Sequence, residues 1–209
     1  MKLRIASLLL LTVCCLMLAV APAMADTYSN GAFNGTNDAW TINFGFTVSD
    51  SFTLIISNVN DFHFVYWDAS TTDILTTVDM AVGSTSFGND IFSGTLSGFT
   101  NTFLGTNQYG YALYQAEKVT LTIQTTGGTM AFATLSNACT TSGCSVSNPI
   151  YWDENSGPST AYENTLGSIP SEAFTLTGFH EGTPEPSSIM LFGSGILGLA
   201  GVLRRKLNI

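Results

Sequence analysis

The chain has few basic residues. Six Lys and Arg stand against fifteen Asp and Glu among 209 residues, which gives a formal net charge of −9. Five of the six cations lie near the two ends, so Lys118 is the only one between residues 26 and 183. Binding to a phosphate backbone needs clustered Lys or Arg. The composition therefore excludes nucleic acid as a partner and disfavours anionic lipid surfaces.

Histidine and cysteine are also scarce. The two histidines, His63 and His180, are far apart in sequence, and a hydrogen-bonded structural role is expected for His63 in its aromatic strand. Cys139 and Cys144, in "NACTTSGCSV", are the cysteines that follow the leader described below. Disulfides persist in exported proteins, so the short Ser-Gly loop between this pair predicts a Cys139–Cys144 disulfide. Zinc would need two further ligands.

No pattern in the domain indicates a catalytic centre. A G-x-S-x-G nucleophile elbow does not occur in it. Glycosidases use two facing carboxylates, and the sequence alone cannot pair its many acids. We therefore expect a non-enzymatic domain without catalytic residues, and a polysaccharide-active hydrolase is the lowest-ranked alternative.

Both ends of the chain carry apolar segments. At the start, Lys2 and Arg4 precede an apolar run that leads to Ala23-Met24-Ala25, a pattern cut by signal peptidase. Residues 1–25 are thus predicted to be a signal peptide, and residues 26–183 one domain. Near the other end, Ile189 to Leu203 is uncharged and Arg204, Arg205 and Lys206 follow. Cations after an apolar run act as a stop signal, which predicts a single transmembrane helix with the domain outside the cytoplasmic membrane.

The domain alternates apolar and polar residues with a period of two, which indicates β-strands. No segment shows a helical period, so the expected fold is an all-β antiparallel β-sandwich, jelly-roll-like in connectivity. A turn is expected at Asp50-Ser51, and Thr126-Gly127-Gly128-Thr129 predicts a two-residue hairpin. The predicted strands cover residues 39–50, 51–57, 61–70, 74–82, 109–116, 117–125, 129–136 and 172–179.

The C-terminal stretch "PEPSSIMLFGSGILGLAGVLRRKL" resembles the PEP-CTERM sorting signal: Pro-Glu-Pro, a Gly-rich apolar helix, then an Arg-rich end. The resemblance covers residues 184–209. It implies recognition by exosortase, a membrane transpeptidase-like enzyme of Gram-negative bacteria that make exopolysaccharide. Pro184, Glu185 and Pro186 would be the recognition motif. The plain alternative is an uncleaved single-pass anchor.

The loop "YWDENSGPSTAYEN" is the most suggestive part of the domain. Tyr151 and Trp152 could stack on a sugar ring, or they could belong to the core. Asp153, Glu154 and Asn155 offer oxygen ligands for calcium, although no EF-hand spacing is present and a capped turn would explain them as well. Apart from this calcium, no cofactor is indicated.

Taken together, these features predict an exported surface or extracellular-matrix protein, associated with exopolysaccharide or biofilm. Its partners would be signal peptidase, exosortase, the cytoplasmic membrane during transit, and possible extracellular polysaccharide. The precursor would be anchored in the inner membrane with a periplasmic domain, which then reaches the cell surface or matrix. The alternative is a carbohydrate-binding or calcium-dependent adhesin.

Overall fold

The computed structural model describes residues 24–35, 38–54, 56, 58–83, 90–124, 129–144, 148–180 and 195. Residues 25–180 form one compact unit. Most of the expected signal peptide, the expected transmembrane helix, the Pro184–Pro186 motif and the stop signal lie outside the described residues. Within the described part, no helix is long and apolar enough to cross a membrane.

Two antiparallel sheets pack against each other, which confirms the predicted all-β sandwich. The first sheet contains β1 (Met24–Ser29), β2 (Ala39–Thr41), β4 (Asn58–Asp68), β7 (Thr100–Thr106), β8 (Ala112–Gln124), β10 (Ile150–Asp153) and β13 (Phe174–His180). The second contains β3 (Thr47–Leu54), β5 (Leu75–Gly83), β6 (Asp90–Ser97), β9 (Thr129–Thr140), β11 (Thr160–Glu163) and β12 (Gly167–Ile169). The jelly-roll-like connectivity stays a prediction.

Strand β4 is the centre of the first sheet. Its Phe62, Phe64 and Tyr66 are buried in the core between the sheets, as alternation along a strand requires. Trp67, on the opposite face, is also buried, so β4 is covered on both sides, as expected for a central strand. Burying each of these large side chains stabilises the fold by about 1.5–3 kcal/mol.

One edge of β4 carries two different strands. β13 pairs with residues 58–64 of β4, and β10 pairs with residues 66–68. Between them, the Val65 amide donates to the Ala173 carbonyl at 3.3 Å. The ends of β10 and β13 therefore meet beside the middle of β4, and the loops that leave these ends are brought together there. We call this place the β10–β13 junction, formed by residues 153–155 and 171–173.

The turn expected at Asp50-Ser51 is wrong. β3 runs straight through both residues, and the chain turns earlier, at residues 43–46, where the Phe46 amide donates to the Asn43 carbonyl at 3.2 Å. Phe44 and Gly45 adopt positive φ values of 59° and 88° there, and glycine accepts this conformation readily. The turn interrupts the alternation, which leaves Phe46 exposed rather than buried with Ile42.

The hairpin expected at residues 126–129 is also wrong. The turn residues 125–128 are outside the described part, but the strands on either side do not pair with each other. β8 pairs with β4 and β7 in the first sheet, whereas β9 pairs with β3 and β5 in the second. Strands β8 and β9 therefore belong to different sheets and do not form a hairpin.

Other boundaries differ as well. Residues 112–124 form the single strand β8, where two strands had been predicted, because no turn residue separates Ala116 from Glu117 and pairing with β4 continues across them. The polar strands β6, β7, β11 and β12 were not predicted, and neither were β1 and the short β10.

The Cys139–Cys144 disulfide is formed, as predicted, just where β9 ends.

Candidate functional site

Four aromatic side chains lie next to one another on the outer side of the first sheet. Trp67 is 6.0 Å from Tyr109 and 6.4 Å from Tyr111, measured between ring centroids. Tyr111 in turn stacks on Tyr151 at 5.8 Å, with 20° between the ring planes. We call Trp67, Tyr109, Tyr111 and Tyr151 the aromatic strip.

Strand pairing and one tight turn position the strip. Tyr151 of β10 is the register partner of Trp67 of β4, so their side chains share a face. Tyr109 and Tyr111 lie in the turn before β8, where the Asn107 side-chain oxygen accepts both of their amides at 3.0 and 2.9 Å. Gly110, with φ of +82°, allows this turn to close.

A buried carboxylate holds Trp67 in place. Asp153 Oδ1 accepts the Trp67 indole Nε1 at 2.5 Å and the Gly35 amide at 2.9 Å. Its Oδ2 accepts the Asn34 amide at 2.7 Å. Burial raises the pKa of Asp153, while these hydrogen bonds act in the opposite direction. Asp153 thus fastens the segment around Asn34 to the outer side of the sheet.

The strip presents flat rings and hydroxyl groups to solvent. Tyr109 is 57% exposed, and Tyr111 and Tyr151 are half-buried. Burial, followed by the neighbouring Tyr111, raises the pKa of Tyr151, so its hydroxyl stays protonated and able to donate. Tyrosine combines an apolar ring with a hydrogen-bonding tip. An arrangement of this kind can pack on the apolar face of a sugar and hydrogen-bond its hydroxyls.

Trp152 does not belong to this surface. It is fully buried, packs against Phe64 and Phe174, and its Nε1 donates to the Ala173 carbonyl at 3.2 Å. Neighbouring residues of a strand point to opposite faces, so Tyr151 and Trp152 cannot both face solvent. The structure corrects the expected pair: only Tyr151 is available for a glycan.

The structure does not bring the side chains of Asp153, Glu154 and Asn155 to one point. Asp153 binds Trp67, whereas Glu154 Oε2 accepts the indole of Trp40 at 3.3 Å. The Asn155 amide group donates to the Asn30 carbonyl at 2.6 Å and accepts from Ser171 Oγ at 2.6 Å. Each side chain already has partners elsewhere, and calcium binding by this set stays a prediction.

A separate cleft of about 330 Å³ lies on the outer side of β4 and β13, lined by His63, Gln115 and Phe33 among others. His63 Nε2 is 2.7 Å from Asp61 Oδ2 and 3.5 Å from Glu117 Oε1. Its Nδ1 lies 3.4 Å from Gln115 Nε2. Both ring nitrogens thus contact β-strand side chains rather than a hydroxyl nucleophile. The expectation of a non-enzymatic domain stays a prediction.

Sequence reasoning did not identify the aromatic strip as a unit. It predicted Tyr109 and Tyr111 in a strand, whereas the structure has them in a turn. Trp67 lies in the strand predicted for residues 61–70 and is buried there. The Asn107–Tyr111 turn could have been recognised from Asn-Gln-Tyr-Gly, which is turn-forming in composition. The approach of this turn to β10 depends on tertiary structure and leaves no local signal.

The comparisons with known proteins give one specific match. The chain matches the model of the PEP-CTERM protein-sorting motif at residues 183–206. No curated protein sequence matches it. Among solved structures, the chain is similar to the catalytic domain of a GH87 alpha-1,3-glucanase variant in complex with tetrasaccharides, with 15% identity and a TM-score of 0.32. That similarity covers 80% of this chain and 30% of the glucanase chain.

The motif begins three residues after β13, the last strand of the sandwich. Its position agrees with the resemblance seen in the Pro-Glu-Pro, apolar and Arg-rich sequence. Proteins with this motif are exported and associated with the membrane or cell surface. The chain therefore carries a PEP-CTERM protein-sorting motif at residues 183–206, which marks it as an exosortase substrate.

Proposed function

We propose that this chain is a non-enzymatic component of the cell surface or extracellular matrix, delivered there by exosortase. Signal peptidase removes residues 1–25, the apolar tail enters the cytoplasmic membrane, and the sandwich is held on the periplasmic side. Exosortase then cleaves near Pro184–Pro186 and frees residues 26–183 for the surface or matrix. The sorting motif at residues 183–206 is the observation that carries this proposal.

Two features of the domain support a location outside the cytoplasm. The Cys139–Cys144 disulfide suits an oxidising compartment. The near absence of Lys and Arg from residues 26–183 leaves a strongly acidic body, and a net charge far from zero keeps a protein soluble and dispersed.

The test is the fate of a triple variant, Pro184→Ala, Glu185→Ala and Pro186→Ala, expressed in the exopolysaccharide-producing host. The native chain is expected in the matrix or on the cell surface, and the variant in the membrane fraction with its tail still attached. A host that lacks exosortase should retain the native chain in the same way. If the variant reached the matrix as efficiently as the native chain, the sorting proposal would be lost.

The aromatic strip favours a second, more specific function, which is binding of extracellular polysaccharide. Tyrosine and tryptophan dominate the binding energy at many interfaces, because they bury large rings and still offer hydrogen bonds. Tyr109 is the most exposed member of the strip, and Trp67 beneath it is fixed by Asp153. The described residues around these rings include the acidic Asp153 but no Lys or Arg, so an anionic glycan would be repelled. The ligand class that suits the strip is therefore a neutral glycan.

Tyr109→Ala tests this function. Loss of one stacking ring is expected to weaken binding to the host polysaccharide about tenfold, because 1.4 kcal/mol corresponds to a factor of ten. Co-sedimentation of the chain with the polysaccharide measures the affinity. Phe103→Ala is the matched control, because Phe103 is 56% exposed but contacts Tyr114 outside the strip. Equal binding by Tyr109→Ala and the native chain would rule out the strip as the glycan site.

A further inference from the structure

We propose that Asp50 and Glu172 bind a calcium ion between the two sheets, at the β10–β13 junction. Glu172 is 0% exposed, and neither of its carboxylate oxygens has a hydrogen-bond partner among the described residues. Asp50 is also 0% exposed, and its Oδ1 has no partner either. Buried polar groups are almost always hydrogen-bonded, so three unpaired carboxylate oxygens at one place indicate a missing ligand.

Backbone and amide contacts hold the Asp50 carboxylate against the backbone of Glu172, and the charge of Asp50 acts on the Glu172 carboxyl group. The Glu172 amide donates to Asp50 Oδ2 at 2.8 Å. Asn30 Nδ2 donates to the same Asp50 Oδ2 at 3.0 Å and to the Glu172 carbonyl at 2.7 Å. Asp50 Oδ2 is thereby saturated, and Oδ1 is the oxygen left for a cation.

Among the described residues, no positive side chain lies near enough to compensate this charge. The charged neighbours that raise the pKa of Glu172, in addition to its burial, are Asp50, Asp153 and Glu154, all of them acidic. Lys118 is the only Lys or Arg between residues 25 and 180. It belongs to β8, and its Nζ is near Gly98, which lies in the turn between β6 and β7. Burying unpaired carboxylates is costly, so these two groups either take up a proton or bind a cation.

The chemistry of the donors selects calcium. The available atoms are carboxylate oxygens and, beside them, the Ser159 hydroxyl, which accepts from Asn30 Nδ2 at 2.6 Å. Oxygen donors without nitrogen or sulfur suit hard cations, and calcium takes six to eight of them in flexible geometry. Glu172 can supply two oxygens and Asp50 one, and water completes the shell.

A calcium ion here would connect parts of the fold that no strand pairing connects. Asp50 lies on β3 in the second sheet, while Glu172 leads into β13 in the first. The site differs from the Asp153–Asn155 set expected from sequence, because its ligands are Asp50 and Glu172. The two sets are neighbours, joined by the bridge between Glu154 and Glu172 and by backbone hydrogen bonds. Calcium would therefore stabilise the sandwich itself, and the inference does not depend on sorting or glycan binding.

The test uses the full-length chain in detergent, first stripped with EDTA. Addition of calcium is expected to raise the melting temperature by about 5 °C or more at saturation, and EDTA should reverse the shift. Terbium, a luminescent substitute for calcium, reports binding directly because Trp152 lies next to Ala173 and can sensitise it. One terbium ion per chain, displaced by calcium, is expected, and magnesium should compete poorly.

Glu172→Gln should abolish both signals, and Asp50→Asn serves if that variant does not fold. Glu163→Gln is the matched control, because Glu163 is also buried but lies at the end of β11, where its Oε2 accepts the Thr165 and Leu166 amides. The control should retain the full calcium response. Absence of a calcium shift and of terbium binding in the native chain overturns the proposal, and so does an unchanged response of Glu172→Gln. A chain that binds calcium but no polysaccharide would refute only the glycan function.

Discussion

At the scale of single residues, Asp68 illustrates what burial does to a carboxylate in this domain. Asp68 is 0% exposed at the end of β4, and its Oδ2 has no hydrogen-bond partner among the described residues. Burial, with a smaller contribution from the charge of Asp73, raises its pKa to about 6, although the Ser70 amide stabilises the charged form. Because the folded state holds the proton more tightly than the unfolded state, stability falls as the pH rises from about 4 to about 6.

Asp68→Asn removes this titration. Relative to the native chain, the variant should gain about 1–3 kcal/mol of unfolding free energy between pH 4 and pH 7. Urea unfolding at several pH values measures the difference. Asp79→Asn is the control with the opposite sign, because hydrogen bonds from Thr95 and Asn137 lower the pKa of Asp79. A stability difference for Asp68→Asn that does not change with pH would contradict the account.

Local sequence predicted residue contacts only where the partners are close in the chain. Cys139 and Cys144 are five residues apart, and their disulfide could be predicted from that spacing and the export signal. The burial of Trp152 could not be predicted, because it follows from the pairing of β10 with β4. These strands are distant in sequence: Asp153 and Trp67, which are hydrogen-bonded, are 86 residues apart. The same holds for Asp50 and Glu172, which are 122 residues apart.

At the scale of strands, the first sheet includes a close backbone contact beside β4. Gly178 in β13 lies at a register shift opposite β4, and a Cβ there would be 1.9 Å from the Asn58 carbonyl oxygen. The Asn58 carbonyl oxygen belongs to the backbone, so it cannot move aside as the end of a flexible side chain can. The strand accepts no other residue at this position without moving.

Gly178→Ala is therefore expected to lower the unfolding free energy by about 2 kcal/mol or more. This corresponds to a fall in melting temperature of about 4–8 °C for a domain of this size, which differential scanning calorimetry can measure. Gly94→Ala on β6 is the matched control, because its Cβ would meet only Phe92 at 3.8 Å. Equal melting temperatures for the two variants would show that the contact at Gly178 is not tight.

The apolar and polar pattern of the sequence correctly predicted an all-β domain. Predictions based on turn-forming residues placed several strand ends wrongly. Apolar patterning was sufficient to locate β4, β5 and β9; β4 is apolar on both faces. Gly127-Gly128 has the composition of a hairpin, but the core requires β8 and β9 in different sheets, and no local pattern contains that information. Strand β7 escaped notice because little of its surface is buried. Strand β11 escaped notice because its two buried positions are Ala161 and Glu163, which are not large apolar residues.

At the scale of the whole molecule, the sequence separates into an acidic body and two apolar ends, which we propose are recognised by signal peptidase and exosortase. The sandwich comprises residues 25–180, and the sorting motif begins at residue 183. The motif was recognisable from sequence because its three parts are contiguous. The aromatic strip was not recognisable, because it combines residues from β4, β10 and the turn before β8.

The mass of the protein recovered from the matrix of its host tests the central claim most directly. Cleavage by signal peptidase predicts a chain that begins at Asp26, and cleavage by exosortase predicts an end near Pro184–Pro186 that depends on the presence of exosortase. Intact-mass measurement with sequencing of both termini would establish the two ends. Recovery of a matrix protein that still carries Arg204, Arg205 and Lys206, in hosts with and without exosortase alike, would contradict the account.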